Sequence, residues 1–117
     1  MKLSISGKEA VATAELISKV VYDESYRGEF FILIREDSAN AYIQATGAND
    51  ALHVEYRDGL SDDDHYVCTS SLSCDQLEEL CLSYFNKEST VFQNYDWCKL
   101  KDYSPPAKKS GGSVGSW

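Results

Sequence analysis

The sequence predicts an α+β domain in which an antiparallel sheet of about four to five strands carries two helices on one face. Three observations predict it: a helical apolar pattern near the start, several short strands separated by turn residues, and a capped second helix after them. A chain of 117 residues can bury one hydrophobic core but not two. We therefore expect one globular domain over residues 1–103 and a tail over residues 104–117 that is rich in Pro, Gly, Ser and Lys.

The two helices are predicted from apolar spacing and from a capping signal. From Lys8 to Val21 apolar residues recur every three or four positions, which predicts a first amphipathic helix over this range. Ser73 is followed three residues later by Gln76, a capping-box pattern that predicts the start of the second helix. Its predicted buried stripe consists of Leu77, Leu80, Cys81, Tyr84 and Phe85.

Four strands are predicted between the helices. The first is apolar on both alternating faces, as in a strand that is covered on both sides. In the third strand, apolar and polar residues alternate, which predicts one buried and one solvated face. Short connections favour an antiparallel meander. The predicted strands cover residues 29–35, 41–46, 52–57 and 65–70, and the spacing of aromatic residues within 91–103 permits a short fifth strand.

Charge and composition limit the kind of partner. The chain has 11 basic and 19 acidic side chains and a formal net charge of −8, which argues against a nucleic acid or an anionic membrane as a direct partner. No apolar run is long enough to cross a bilayer, and the start lacks the apolar segment of a secretory signal. We therefore expect a cytoplasmic protein, with its four cysteines as reduced thiols.

Acidic residues are concentrated in residues 50–64, where six carboxylates are opposed only by Arg57. Such a cluster is either a solvated face that keeps the protein soluble or an electrostatic landing site for a basic protein. Tyrosine and tryptophan beside carboxylates make good interface anchors. The predicted partner-binding residues are Glu55, Tyr56, Asp58, Asp62, Asp63, Asp64 and Trp97.

No motif in the sequence predicts a metal, a cofactor or a catalytic centre. The aspartates do not stand at the alternating positions of a calcium loop, and no cysteine pair has zinc-site spacing. His65 is expected to be an ordinary surface group. Cys68 with His53 on a neighbouring strand is the one thiol and base pairing that the layout allows. We expect a protein that is not an enzyme and uses no cofactor.

The order of several segments is that of a known family. An apolar strand at 31–34 is followed by a strand ending in glycine at 42–47, by the segment 52–59, by a helix after a serine-rich start, and by Trp97. Over Phe30 to Trp97 the chain thereby resembles the small immunity proteins of bacterial polymorphic-toxin systems, in particular a family found beside deaminase-type toxins. The resemblance implies tight binding to one cognate toxin, usually at its active site, without catalysis by the immunity protein.

The leading hypothesis is therefore an inhibitor of a basic toxin, such as a deaminase or another enzyme that acts on nucleic acid and has a cationic groove. The alternative is a non-catalytic adaptor or small subunit that binds a protein partner through its sheet edge or its tail.

Overall fold

The computed structural model describes residues 1–37, 40–88 and 90–104. These residues form an α+β domain with three helices and one antiparallel sheet of seven strands, in the order β2-β1-β3-β4-β5-β6-β7. The strands are β1 (Lys2–Ile5), β2 (Lys8–Val11), β3 (Phe30–Arg35), β4 (Ala41–Ala48), β5 (Ala51–Asp58), β6 (His65–Cys68) and β7 (Trp97–Lys99). The helices are α1 (Ala14–Tyr22), α2 (Glu24–Arg27) and α3 (Cys74–Phe85), and short 3₁₀ turns cover Asp62–Asp64, Thr90–Asn94 and Leu100–Asp102.

An N-terminal hairpin corrects the prediction of a helix that starts at Lys8. Ile5 pairs with Lys8 across Ser6 and Gly7, and both turn residues have positive φ, 50° and 89°, as a tight hairpin turn requires. The helix begins only at Ala14, after Thr13 has accepted a hydrogen bond from the Leu16 amide at 3.1 Å. β1 and β2 raise the number of strands to seven, so the prediction of four to five was too low.

The core lies between one face of the sheet and the pair α1 and α3. Alternate strand residues point toward these helices and are fully buried, as the spacing in β5 predicts. The sheet residues of the core include Leu3, Phe31, Leu33, Ile43, Leu52 and Val54, and the helices contribute Ile17, Val20, Val21, Leu77, Leu80 and Cys81. The other face of the sheet, which we call the open face, carries no α-helix from the described residues. Phe30, Ile32 and Ile34 are therefore only partly buried there. The prediction that this strand is covered on both sides was wrong.

Arg27 ties the end of α1 to the turn between β4 and β5. Its guanidinium is fully buried and donates to the carbonyls of Val20 and Val21 at 3.2 and 2.7 Å. It also donates to the Gly47 carbonyl at 3.0 Å and to Asn49 Oδ1 at 2.9 Å. A helix leaves its last four carbonyls without partners inside the helix, and a cation is favourable at that end. Arg27 therefore satisfies the end of α1 and positions the hairpin beside it.

The predicted boundary at residue 104 falls at the end of the described part of the chain, so the tail from residue 105 onward lies outside the described residues. The same holds for Ser38 and Ala39 in the predicted turn at 36–40. Among the described helices, none is long and apolar enough to span a membrane.

We predict that Arg27→Met lowers the free energy of unfolding by roughly 3 kcal/mol or more, because it leaves several buried acceptors without a donor. Urea unfolding followed by circular dichroism measures this loss. Arg35→Met is the matched control, since the hydrogen bonds of Arg35 go to the exposed Asp37 and their loss should cost much less. Equal losses in the two variants would contradict the role assigned to Arg27.

Candidate partner-binding site

The seven residues predicted to bind a partner lie in three parts of the molecule. Glu55 is on the open face of the sheet, whereas Tyr56 and Trp97 are on the face that carries the helices. Asp58 ends β5, and Asp62, Asp63 and Asp64 form the 3₁₀ turn that leads to β6. The structure therefore divides the predicted partner-binding residues between the two faces of the sheet and one connection.

Glu55 lies at the centre of a His–Glu–His cluster on the open face. It is only 8% exposed, and its Oε2 and Oε1 lie 3.0 Å from His53 Nε2 and 2.7 Å from His65 Nε2. Gln44 donates to Oε1 at 3.4 Å. Glu55 is thus held inside the protein by its neighbours, and His65 is not the free surface group that we expected.

The two histidines overcome the cost of burying this carboxylate. Desolvation alone would raise the pKa of Glu55, but the hydrogen bonds from His53 and His65 outweigh it and bring the pKa below its ordinary value of 4.5. The alternation of His53 and Glu55 along one strand was visible in the sequence. The position of His65 was not, because it depends on the pairing of Arg57 with His65 across β5 and β6.

We predict that Glu55→Gln destabilises the protein by roughly 1–2 kcal/mol near neutral pH, because it removes the charge from these hydrogen bonds. Since the pKa of Glu55 is lowered by folding, its contribution is fully present above pH 4.5 and is lost as pH falls through the folded value. Urea unfolding at about pH 6 and about pH 3 should therefore show a difference between the variant and the parent that shrinks in acid. A difference that does not depend on pH would contradict this assignment.

The connection between β5 and β6 is partly neutralised by basic side chains. Asp63 lies 2.5 Å from Lys101 Nζ, and this hydrogen-bonded pair lowers the pKa of Asp63. Asp64 accepts from the Ser61 amide at 3.2 Å and closes a capping box around the turn. Arg57 donates to the carbonyls of Gly59 and Leu60, both at 2.9 Å. The acidity of this connection is therefore lower than its sequence indicates.

An aromatic cluster lies on the helix side of the sheet, next to β7. The Tyr56 ring stacks on Tyr66 at 5.0 Å and meets the edges of Phe92 and Trp97 at 5.0 and 4.6 Å between centroids. Trp97 also donates its indole N–H to the Phe92 carbonyl at 2.9 Å. Burial raises the pKa of Tyr56 to about 12. All four rings remain partly exposed, so the cluster both closes the core and forms surface.

A cleft of about 180 Å³ opens beside this cluster, lined by Arg35, Tyr56, Asp58, Tyr84, Lys87, Glu88 and Phe92. Its two cations share one carboxylate, that of Asp37, which lies 3.1 Å from Arg35 Nε and 2.9 Å from Lys87 Nζ. The pairing with Arg35 holds the pKa of Asp37 well below its usual range. We call this group of residues the Tyr84 cleft.

The C-terminal end of α3 positions two residues of the Tyr84 cleft. Lys87 has φ +60°, and its amide donates to the Tyr84 carbonyl at 3.0 Å, while the Glu88 amide donates to the Ser83 carbonyl at 2.8 Å. These two bonds are the Schellman arrangement that ends many helices, here with lysine where glycine is usual. The turn fixes the backbone of Lys87 and Glu88 at the rim of the cleft.

The pairing of Cys68 with His53 does not occur. His53 lies on the open face, whereas Cys68 lies on the helix side in register with Trp97. Burial raises the pKa of the Cys68 thiol and raises that of Cys81 to about 12, so neither is a thiolate at neutral pH. All four cysteines are free thiols, as expected from the sequence, and Cys98 is the one that is not buried.

We predict that a single thiol of the native protein reacts rapidly with Ellman's reagent at neutral pH and that Cys98→Ser removes this phase, since the remaining thiols are buried. Adding denaturant should then expose the other three. A fast phase that persists in Cys98→Ser but is lost in Cys68→Ser would contradict the burial of Cys68.

Within the described ranges, no group of three or more His, Cys, Asp or Glu residues is arranged to hold a metal ion. Comparisons of the chain with models of protein families, with curated protein sequences and with solved structures found no match. The resemblance to immunity proteins therefore stays a prediction, and function is argued from the site itself.

Proposed function

We propose that this protein is a non-catalytic immunity protein that binds a basic toxin enzyme and inhibits it by covering the active site. One observation carries the proposal: three surface features adjoin one another through β5. They are the partly exposed aromatic rings, the Tyr84 cleft and the acidic connection from β5 to β6. Interfaces are typically built from such rings at the centre with charge at the rim.

Electrostatics favours a basic partner. The formal net charge of −8 attracts a cationic protein over long range and raises the rate of encounter at low salt. Enzymes that act on nucleic acid have cationic grooves, so a deaminase or a related enzyme fits this charge. In this proposal the acids accelerate association, and Tyr56 with its neighbouring rings slows dissociation.

A protein with this role would work in the cytoplasm, where it would protect the cell that makes the toxin, and would need neither a cofactor nor direct contact with nucleic acid. The buried, protonated thiol of Cys68 supports a binding role over thiol catalysis.

The test is affinity capture from the native cell, washed at low and high salt, followed by an activity assay on the purified partner. We expect one basic enzyme that is retained at high salt and loses its activity on addition of an equimolar amount of this protein. A captured enzyme that stays fully active in the complex, or the absence of any stoichiometric partner, would overturn the proposal.

We predict that changing Asp62, Asp63 and Asp64 together to Asn slows association with that partner by roughly tenfold at low salt, with little change in dissociation. Stopped-flow fluorescence measures both rates. The matched control changes Glu9, Glu15 and Glu29 to Gln, since these exposed acids lie in β2, in the first turn of α1 and just before β3, away from the connection between β5 and β6. An equal rate in the two triple variants would remove the connection from the interface.

One observation favours the alternative of an adaptor. β2 is an edge strand in which all four residues are exposed, and Val11 is 76% exposed, so a partner strand could pair with it. Val11→Pro would block such pairing, because the Val11 amide points away from β1, while deletion after Tyr103 would test the tail. An inhibitor that acts through the opposite edge should tolerate both changes, whereas an adaptor should lose its partner in one of them.

A further inference from the structure

The Tyr84 cleft contains polar groups that lack partners, in contrast to the paired acids elsewhere in the site. Tyr84 is 9% exposed, yet its hydroxyl is buried without a hydrogen-bond partner among the described residues. Buried hydroxyl groups are nearly always hydrogen-bonded. Because Tyr84 lines the cleft, a group bound there can supply the missing partner of its hydroxyl.

The carboxylates of the cleft are also unpaired. Asp58 and Glu88 are exposed, and within the described residues neither side chain makes a hydrogen bond or an ion pair, whereas Glu55, Asp63 and Asp64 all do. Arg35 and Lys87 are already bonded to Asp37. With Asp37 included, two positive and three negative side chains surround the cleft, which leaves a net charge of −1.

Aromatic faces complete the lining. Tyr56 and Phe92 form a wall of the cleft, and the Arg35 guanidinium lies 5.9 Å from the Tyr84 ring centroid, within the range of a cation–π contact. The cleft already holds one guanidinium against an aromatic ring, so its walls suit a second cation of the same kind. Burial chiefly raises the pKa of Tyr84, and the charges of Arg35, Asp58 and Asp37 also act on it, so these groups share one electrostatic environment.

We infer that the Tyr84 cleft binds an arginine side chain of the partner, with Asp58 and Glu88 accepting its N–H groups, Tyr84 offering its hydroxyl oxygen, and Tyr56 and Phe92 packing on its planar face. Arginine suits this site better than lysine, because its flat guanidinium can stack on a ring and donate hydrogen bonds at the same time. The inference rests on the proposed function in that the arginine belongs to the basic toxin, and it makes the cleft the centre of the interface.

The direct test titrates the peptide acetyl-Gly-Arg-Gly-amide into ¹⁵N-labelled protein and follows the amide resonances. We expect saturable shifts centred on Asp58, Lys87, Glu88 and Phe92, and no such shifts with the peptide in which neutral citrulline replaces arginine. A third peptide carries glutamate in place of arginine. The inference would be overturned by equal shifts with the citrulline peptide, by no saturable shift at millimolar arginine peptide, or by shifts with the glutamate peptide instead. The last result would identify an anion site at Arg35 and Lys87.

Matched variants separate the cleft from general charge. The double variant Asp58→Asn, Glu88→Gln should weaken peptide binding by roughly tenfold. The control double variant Glu15→Gln, Glu29→Gln has the same net charge as that variant and should leave peptide binding unchanged. Tyr84→Phe removes only a hydroxyl that has no hydrogen-bond partner in the described part of the chain. It should weaken binding while leaving the unfolding midpoint the same or higher. A Tyr84→Phe protein that binds the peptide as tightly as the parent would remove the hydroxyl from the site.

The captured partner distinguishes failure of this inference from failure of the proposed function. If the double variant at Asp58 and Glu88 inhibits the captured enzyme as tightly as the parent protein does, the cleft inference fails and the inhibitory function stands. If the arginine peptide binds as expected but no captured enzyme is inhibited, the function fails and the cleft remains a site for a cationic side chain.

Discussion

The fold depends on one buried cation. Arg27 lies where α1 ends, where α2 ends and where the β4–β5 hairpin turns, and it donates hydrogen bonds to the first and the last of these elements. An apolar residue of the same length would deprive the carbonyls of Val20 and Gly47 of this donor. It would leave the Val21 carbonyl with the weaker Cys74 thiol. Through its hydrogen bonds Arg27 holds α1 against the β4–β5 hairpin. The second strand of this hairpin, β5, carries both Glu55 and Tyr56 of the candidate site.

Much of the secondary structure could be predicted because the relevant signals are local. Ser73 and Gln76 form the reciprocal bonds of a capping box at 3.1 and 2.9 Å, and β5 follows the predicted alternation. The first hairpin was missed because Ala10 and Ala14 fall at helical spacing by coincidence. The Ser6-Gly7 dipeptide was the local signal that could have revealed the turn.

The candidate site was harder to predict, because the role of an acid depends on neighbours that are distant in sequence. In the sequence Glu55 falls on the polar face of its strand, like a surface acid, but the register of β5 and β6 brings His65 against it. Asp63 is paired with Lys101, which follows it only after α3 and β7. Asp58 was predicted as a binding residue, and its carboxylate makes no hydrogen bond or ion pair within residues 1–37, 40–88 and 90–104. Glu88 was not predicted, because its position at the cleft follows from the turn at the end of α3.

The strand order also constrains how the chain folds. Every neighbouring pair in the sheet consists of consecutive strands except β1 with β3, which are separated by β2, α1 and α2. β6 and β7 are consecutive strands, but α3 lies between them. The central hairpins close over short loops, which is fast, while β1 must wait for the chain to return after residue 29 before Leu3 meets Leu33. During synthesis β1 and β2 emerge before β3, yet they cannot join the rest of the sheet until β3 has left the ribosome. The order of synthesis and the order of assembly therefore differ for this part of the chain.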